Sequence, residues 1–358
     1  MRGIVWDGAR LVVTDELEVD APGPGEVAVE VRASGLCHTE LSILDGLGVC
    51  EPPAVLGHEA AGVVAELGPG VEGWAVGDEV VVGVVTPCGR CRACADERFT
   101  DCAEAFGRAA RRFGWRGARV AQYANCSSFA SRIAVRASQL VAARGLPLRE
   151  AAILGCAVVT GYGAVRNAAR VRAGDSVAVI GIGGVGVNAL QTARLCGASR
   201  VIAVDVAESR EAIARRFGAT DFVRAGRAGE GSELARAIRR VLPAGVDAAI
   251  ECSGALASVD AAIAALAPGG RAALVGIPPP GANARFDVGA LMWGRRIVGS
   301  LNGAMHPRRD LAEIVEHVLA GRLELAAQVT RSWPLAEVEA AVAALRAGEV
   351  VRGVLLHA

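Results

Sequence analysis

The spacing of apolar positions changes character along this 358-residue chain. Over residues 1–35 apolar and polar positions alternate, most cleanly at Val27, Val29 and Val31, and turns fall at Asp7-Gly8 and Pro22-Gly23-Pro24-Gly25. A period of two predicts strands, so the opening reads as β-rich. From residue 176 the rhythm becomes strand, helix, strand. Apolar runs at 177–180, 201–204, 247–252, 271–277 and 297–301 are separated by helical stretches at 208–217, 232–242 and 257–266. Pro268-Gly269-Gly270 ends the last of these helices, and Pro278-Pro279-Pro280-Gly281 breaks the pattern. Alternating strands and helices predict a parallel sheet covered on both faces. The tail returns to a mixed pattern: a helix at 310–320, a β segment at 325–330, a helix at 335–347 and a closing strand at 350–356. Residues 102–124 show poor periodicity and read as a loop. Phe106, Phe113 and Trp115 are its candidates to line a substrate mouth, and Arg108, Arg111 and Arg112 could face an acidic substrate.

The join between the first apolar run and its helix is the most informative stretch, SVAVIGIGGVGVNALQTARLCGASRVIAVD. A β-branched run meets Gly181-Ile182-Gly183-Gly184-Val185-Gly186, a helix follows, and a second apolar run ends at Asp205. This is the order of a dinucleotide-binding βαβ unit. Gly181 permits the tight turn, Gly183 lets backbone approach a pyrophosphate, and Gly186 lets helix and strand pack closely. The helix N-terminus offers free N–H groups and a positive dipole end. Asp205 can accept hydrogen bonds from an adenosine ribose and would repel a 2′-phosphate, which favours NAD; Arg210 can reach the adenosine side.

Composition narrows the chemistry. The 38 acidic residues balance 38 basic ones, so charge gives no nucleic-acid or anionic-membrane signal. Every basic residue is Arg. A catalytic Lys is therefore excluded, and with it Schiff-base chemistry and the Tyr/Lys pair of short-chain dehydrogenases. Residues 1–13 include Asp7 and Arg10 and no long apolar core, so a signal peptide is not expected. No uninterrupted run of about 20 apolar residues suggests a membrane span. Ten cysteines without an export signal point to a reducing cytoplasm, where clustered thiols more often bind metal than pair.

The cysteines fall into two kinds. Cys88, Cys91, Cys94 and Cys102 crowd into fifteen residues, which matches a closed tetrahedral zinc site of four thiolates over an iron–sulfur cluster or disulfides. Cys37, His58 and Cys156 are the donor types of a catalytic zinc with one open position, but they are far apart in sequence. Taken singly, such cysteines are more often core thiols and such a histidine is more often a hydrogen-bonded structural residue. Cys50, Cys126, Cys196 and Cys252 have no ligand-like spacing.

The motifs GLCHTE, LGHEAAGVV, CGRCRACADERFTDC, LGCAVVTGYGA, GIGGVGVNALQ, VIAVD and RAGEVVRGVLL occur in order. With them the chain resembles the zinc-containing medium-chain alcohol dehydrogenases over nearly its whole length, and class III-like and related bacterial members within them. The resemblance implies an α/β protein with a GroES-like β-rich catalytic domain, residues 1–157 with its zinc loop at 88–102. It places a Rossmann domain with a doubly wound parallel sheet at residues 158–299 and a return to the catalytic domain at 300–358. It implies two zinc ions per chain, catalytic on Cys37, His58 and Cys156 and structural on the four clustered thiols. It implies hydride transfer between an alcohol and NAD+, reversibly giving aldehyde or ketone. Thr39 corresponds to the hydroxyl that hydrogen-bonds the substrate oxygen and starts a proton relay. Ser42 stands where many members carry a His, which interrupts that relay. Glu59 corresponds to a carboxylate beside the zinc. His38 and Arg352 correspond to pyrophosphate contacts. Thr160, Val185 and Val275 correspond to positions around the nicotinamide, and Gly184 opens the phosphate-binding helix. A thiol-dependent formaldehyde dehydrogenase or a biosynthetic alcohol dehydrogenase are alternatives within the family. A non-catalytic nucleotide-binding protein is opposed by the intact donor set. The expected partners are a small alcohol or aldehyde and further copies of the chain, as a homodimer or homotetramer, with no nucleic acid and no membrane.

Overall fold

The computed structural model describes residues 1–107, 110–226 and 231–358, and the chain divides into two compact units. One comprises residues 1–156 and 306–358, the other residues 157–305.

The second unit is built on a six-stranded, all-parallel sheet. Across it run Asp221–Arg224, Arg200–Asp205, Ser176–Ile180, Val246–Glu251, Leu266–Leu274 and Arg296–Gly299. In chain order this is 3-2-1-4-5-6, the doubly wound dinucleotide-binding arrangement. The interior strands are nearly continuous apolar runs because helices cover both faces. Val177, Ala178, Val179, Val201, Ile202, Ala203 and Val204 are all completely buried. Helix Gly231–Val241 shows the complementary pattern, burying Leu234, Ala235 and Ile238 at helical spacing while Arg236 and Arg240 face outward. Burial of each such Leu or Ile contributes about 1.5–3 kcal/mol, so a charge at Ile238 would undo that face. The chain order reverses beside Ser176–Ile180, and open sheets of this kind bind ligands at such a switch point.

The first unit is β-rich. A largely antiparallel seven-stranded sheet centres on the long strand Glu26–Leu36. Its first half pairs with Arg132–Arg136, its second half with the chain's last strand, Arg352–Leu356, and its other edge with Ala60–Leu67. The tail is thereby threaded into the N-terminal sheet. A second sheet of six short strands packs Gly3–Trp6, Ala54–Val55 and Ala118–Gln122 side by side.

Residues 102–124 are more ordered than their periodicity predicts. Phe113–Trp115 and Ala118–Gln122 pair as an antiparallel hairpin. Three-residue strands are too short to display an alternation. Phe113 is fully buried, so it belongs to the core and not to a substrate mouth. Arg112 is committed to a bidentate pair with Glu26, at 2.6 Å for each bond. Arg111 donates to the Arg119 carbonyl, and the expectation for Arg108 lies outside the described residues. The late β segment is the strand Val329–Pro334, displaced towards the C-terminus from the expected position. Among the described residues no single helix is long and apolar enough to cross a membrane.

Candidate metal centres and dinucleotide edge

Two groups of donor atoms assemble in the first unit. Cys88, Cys91, Cys94 and Cys102 bring their Sγ atoms within 4.8 Å of one another. Two of the separations are 3.5 Å (Cys91–Cys94) and 3.9 Å (Cys88–Cys94). A tetrahedral ion with bonds of about 2.3 Å needs sulfurs about 3.8 Å apart, so the set fits zinc. Backbone N–H groups favour the thiolate form. Those of Cys88 and Glu104 donate to Cys102 Sγ, each at 3.4 Å. The Arg90 N–H, assisted by that of Cys91, pulls the Cys88 thiol down to about 6. The loop turns tightly through Gly89 and Glu97, both left-handed (φ 73° and 56°).

The second group is Cys37, His58, Glu59 and Cys156, whose donor atoms also lie within 4.8 Å of one another. Three distant segments supply them. Cys37 precedes the helix His38–Leu44, His58 and Glu59 precede the strand Ala60–Leu67, and Cys156 follows the turn Ala152–Gly155. The sequence spacing alone left their meeting open; the fold brings them together. His58 Nε2 is 3.3 Å from Cys156 Sγ. The hydrogen bond from Cys156 holds the Cys37 thiol well below the ordinary range despite burial, with His58 adding to it, while Cys156 is pushed up. A bound cation would favour the thiolate form of both sulfurs.

The residue that orients His58 was not singled out from the sequence. Glu40 is buried, and its Oε1 lies 2.5 Å from His58 Nδ1 while Oε2 accepts the Cys37 N–H at 2.9 Å. One carboxylate therefore ties two members of the donor set together. It holds a proton on Nδ1 and leaves Nε2 as the donor. Burial alone would lower the His58 pKa, but the Glu40 charge and the Cys37 bond outweigh it and raise it well above the usual value. The available signal was its place three residues after Cys37, at the third position of a helix whose first N–H groups need an acceptor.

Glu59, expected beside the zinc, stands within the donor group itself. Gly35 makes room for it, because a Cβ there would lie 1.7 Å from Glu59 Oε2. Burial pushes the Glu59 carboxyl up to about 7, opposed by its pairing with Arg352. Arg352, expected from the resemblance at the pyrophosphate, is buried and pairs with Glu59. Thr39 Oγ1 lies 3.5 Å from Cys37 Sγ, and Ser42 donates to the His38 carbonyl, as an ordinary helix serine does. His38 is exposed. Tyr123 stands edge-on to the His58 ring, with centroids 5.7 Å apart.

In the second unit the glycine turn has the expected shape. Gly181 is left-handed (φ 93°), and a Cβ on Gly186 would fall 2.0 Å from the Gly181 carbonyl oxygen. A Cβ on Gly183 would meet no protein atom, so its side is open space at the start of helix Gly184–Leu195. Asp205 ends its strand and accepts the Ile182 N–H at 2.7 Å and the Ala207 N–H at 2.9 Å. Arg210 immediately precedes helix Glu211–Arg216, Val275 follows the strand Leu266–Leu274, and Thr160 is buried in helix Ala157–Gly163. Val185 is the second residue of the phosphate-facing helix. Glu251, fully buried, was also missed. It accepts from Ser253 and Gly254 at the carboxyl end of its strand.

A doubly wound dinucleotide unit joined to a β-rich unit with one closed thiolate cluster and one Cys-His-Cys set defines a zinc-dependent, dinucleotide-linked dehydrogenase. Known proteins agree. Residues 23–147 match the alcohol dehydrogenase GroES-like domain and residues 184–320 the zinc-binding dehydrogenase family. The probable S-(hydroxymethyl)glutathione dehydrogenase 1 of Schizosaccharomyces pombe is 32% identical, over 98% of this chain and 95% of that protein. Benzyl alcohol dehydrogenase from Acinetobacter calcoaceticus superposes with a TM-score of 0.91 at 32% identity, covering 100% of this chain and 99% of that one. An alcohol dehydrogenase zinc-binding domain protein from Burkholderia ambifaria gives 0.92 at 34%, covering 99% and 98%. The chain belongs to the zinc-binding alcohol dehydrogenase family, and it is a zinc-dependent alcohol oxidoreductase that uses NAD.

Proposed function

We propose that this protein oxidises small neutral alcohols to aldehydes or ketones with NAD+, reversibly, at a zinc held by Cys37, His58 and Cys156. The observation that carries the reading is the convergence of those three donors, with Glu40 fixing the histidine. Zinc on such a set acts as a Lewis acid that lowers the pKa of an alcohol. The chain's own groups do the rest. Thr39 offers a hydroxyl beside Cys37 to hold the substrate oxygen. Ser42 is no base near neutral pH, so the proton leaves through water or the cofactor ribose. Asp205 sets preference for NAD over NADP. The four-thiolate site contributes folding energy.

Thiol adducts of formaldehyde, which the Schizosaccharomyces relative's name indicates for that protein, are the second reading. With glutathione as the thiol, the adduct carries net negative charge. Arg112, which the sequence offered for an acidic substrate, is occupied by Glu26, which favours a neutral one. The reading includes a cytoplasmic location, supported by ten unpaired cysteines. It also includes a homodimer or homotetramer. The strand Arg296–Gly299 is an outer strand of its sheet, and Met292 and Trp293 beside it are exposed. NADH formation is to be screened with primary, secondary and aromatic alcohols, and with formaldehyde with and without small thiols. Turnover of a neutral alcohol supports the reading; turnover restricted to formaldehyde plus a thiol would overturn it in favour of the second.

A further inference from the structure

The amino-terminal edge of the parallel sheet gathers arginines that no carboxylate serves. Elsewhere arginines and acids pair, as Arg200 does with Asp221 and Arg112 with Glu26. The guanidinium groups of Arg170, Arg172, Arg271 and Arg296 have no ion-pair or hydrogen-bond partner among the described residues. Part of the reason lies in the sequence. Between residues 157 and 176 the sole acid is Asp175, and between 261 and 300 it is Asp287. Asp175 Oδ2 accepts the Arg172 backbone N–H at 2.8 Å, and Asp287 Oδ1 accepts the Gly289 N–H at 2.9 Å. Asp247 is turned to Ser176, whose N–H and hydroxyl it accepts at 2.8 Å and 2.7 Å.

The sheet register brings the four together. Val177, Ala248, Arg271 and Arg296 form one row across neighbouring strands. Residues in such a row point to the same face, and the next residue along each strand points to the other. Ala272 is buried with Leu234, Ile238 and Ala262, and Ile297 packs beside it, so that face belongs to the helices Gly231–Val241 and Leu256–Ala264. Arg271 and Arg296 therefore point to the opposite face, where the helical turn Ala164–Ala169 packs on their strands. Arg170 ends that turn, left-handed at φ 57°, and Arg172 follows just before the strand Ser176–Ile180. Arg170, Arg172 and Arg296 are exposed, and Arg271 is half-buried. Burial, and then the charges of Arg296, Arg170 and Arg172, pull the Arg271 guanidinium below its ordinary range.

Like charges held this close repel, and an anion between them relieves the repulsion. A guanidinium presents paired N–H groups that match two phosphate oxygens. Adjacent strands lie about 4.8 Å apart, so Arg271 and Arg296 are spaced to share one phosphoryl group, with Arg170 and Arg172 beside them for a second. We propose that this edge is an anion site that binds a diphosphate group, free or esterified, through Arg170, Arg172, Arg271 and Arg296. It is separate from the dinucleotide site, which doubly wound sheets form at the carboxyl ends of the strands. Arg271 stands three residues before the carboxyl end of its strand at Leu274, about 10 Å at 3.3 Å per residue.

The test is calorimetric titration of the full-length, zinc-loaded protein with inorganic pyrophosphate and with ADP, at low salt and with NADH saturating, so that the dinucleotide's own phosphate site is filled. Wild type is expected to bind one pyrophosphate per chain, more weakly as salt is added. ADP binding as well as pyrophosphate assigns the site to the diphosphate in either form; pyrophosphate binding alone assigns it to the free anion. Arg170→Gly suits the left-handed backbone, and Arg172→Ala changes an exposed loop residue, so both keep the fold, which melting curves check. Each should weaken pyrophosphate about tenfold, the worth of one charge-assisted hydrogen bond, and the double variant more than either. Arg236→Ala with Arg240→Ala removes two charges from a helix on the other face and should leave the affinity unchanged. No pyrophosphate binding in the presence of NADH would overturn the site. So would unchanged affinity in the Arg170 and Arg172 variants, or an equal loss in the Arg236 and Arg240 control, which would reduce the effect to net charge.

Discussion

Glu40→Gln isolates the contribution of the group that organises the Cys-His-Cys set. The side chain is 1% exposed and accepts from two donors, His58 Nδ1 at 2.5 Å and the Cys37 N–H at 2.9 Å. A carboxylate has an oxygen for each. A carboxamide of the same size has one oxygen and one NH2, so one buried donor then faces another. Leaving such a donor unmet costs about 1–3 kcal/mol, and each 1.4 kcal/mol is a factor of ten in affinity. Partners of this kind around metal-binding histidines are worth about 10–100-fold in metal affinity, which agrees. The assay is zinc content by elemental analysis after dialysis against graded chelator. The four-thiolate site serves as an internal control, because Cys88, Cys91, Cys94 and Cys102 form a separate donor group. Glu40→Gln should release one zinc at about 10–100-fold lower chelator strength than wild type and keep the other unchanged. Release of both ions in parallel with wild type would refute the reasoning. Loss of both together would show that Glu40 supports the whole unit and not His58.

Cys94→Ser should lose one zinc and much of the thermal stability, while Cys156→Ser should lose one zinc and turnover with a near-normal melt; elemental analysis, melting curves and NADH formation separate the two. Asp205→Gly should weaken NAD binding and bring NADP closer to parity, because it removes both the ribose acceptor and the repulsion of a 2′-phosphate; faster NADP than NAD turnover by the wild type would sink the assignment. Glu26→Gln should destabilise the first unit by about 1–2 kcal/mol at neutral pH. The Arg112 hydrogen bond, with help from Gly23, holds the Glu26 carboxyl below its usual range. The folded state therefore binds that proton less readily than the unfolded state, so the stabilisation is present above the ordinary glutamate value and fades as pH falls through the lowered one. Denaturant melts of variant and wild type should converge in acid; a gap that widens there would contradict the sign.

What the sequence disclosed depended on how local each signal was. The glycine turn and Asp205 lie within one supersecondary unit, and the geometry at Gly181 and Gly186 has the expected form. The four-thiol loop is equally local. The helix-start position of Glu40 was visible, but its role was not, because that comes from His58, eighteen residues away, which only the fold brings to it. The pairing of Arg352 with Glu59 was hidden for the same reason: only the threading of the last strand beside Glu26–Leu36 brings the two together. The 113–122 hairpin escaped because its strands are too short for a visible period.

The central claim is that alcohol oxidation depends on zinc at Cys37, His58 and Cys156. The most direct measurement follows NADH formation from an alcohol by the full-length protein while zinc is withdrawn by a chelator and then returned, with zinc content recorded in parallel. The account predicts about two zinc per chain at the start, from the ligand count of the two sites. Turnover should vanish as the first zinc leaves, with the fold intact, and recover when zinc is restored. Undiminished turnover after that zinc has gone, or no turnover of any alcohol with both sites filled, would contradict it.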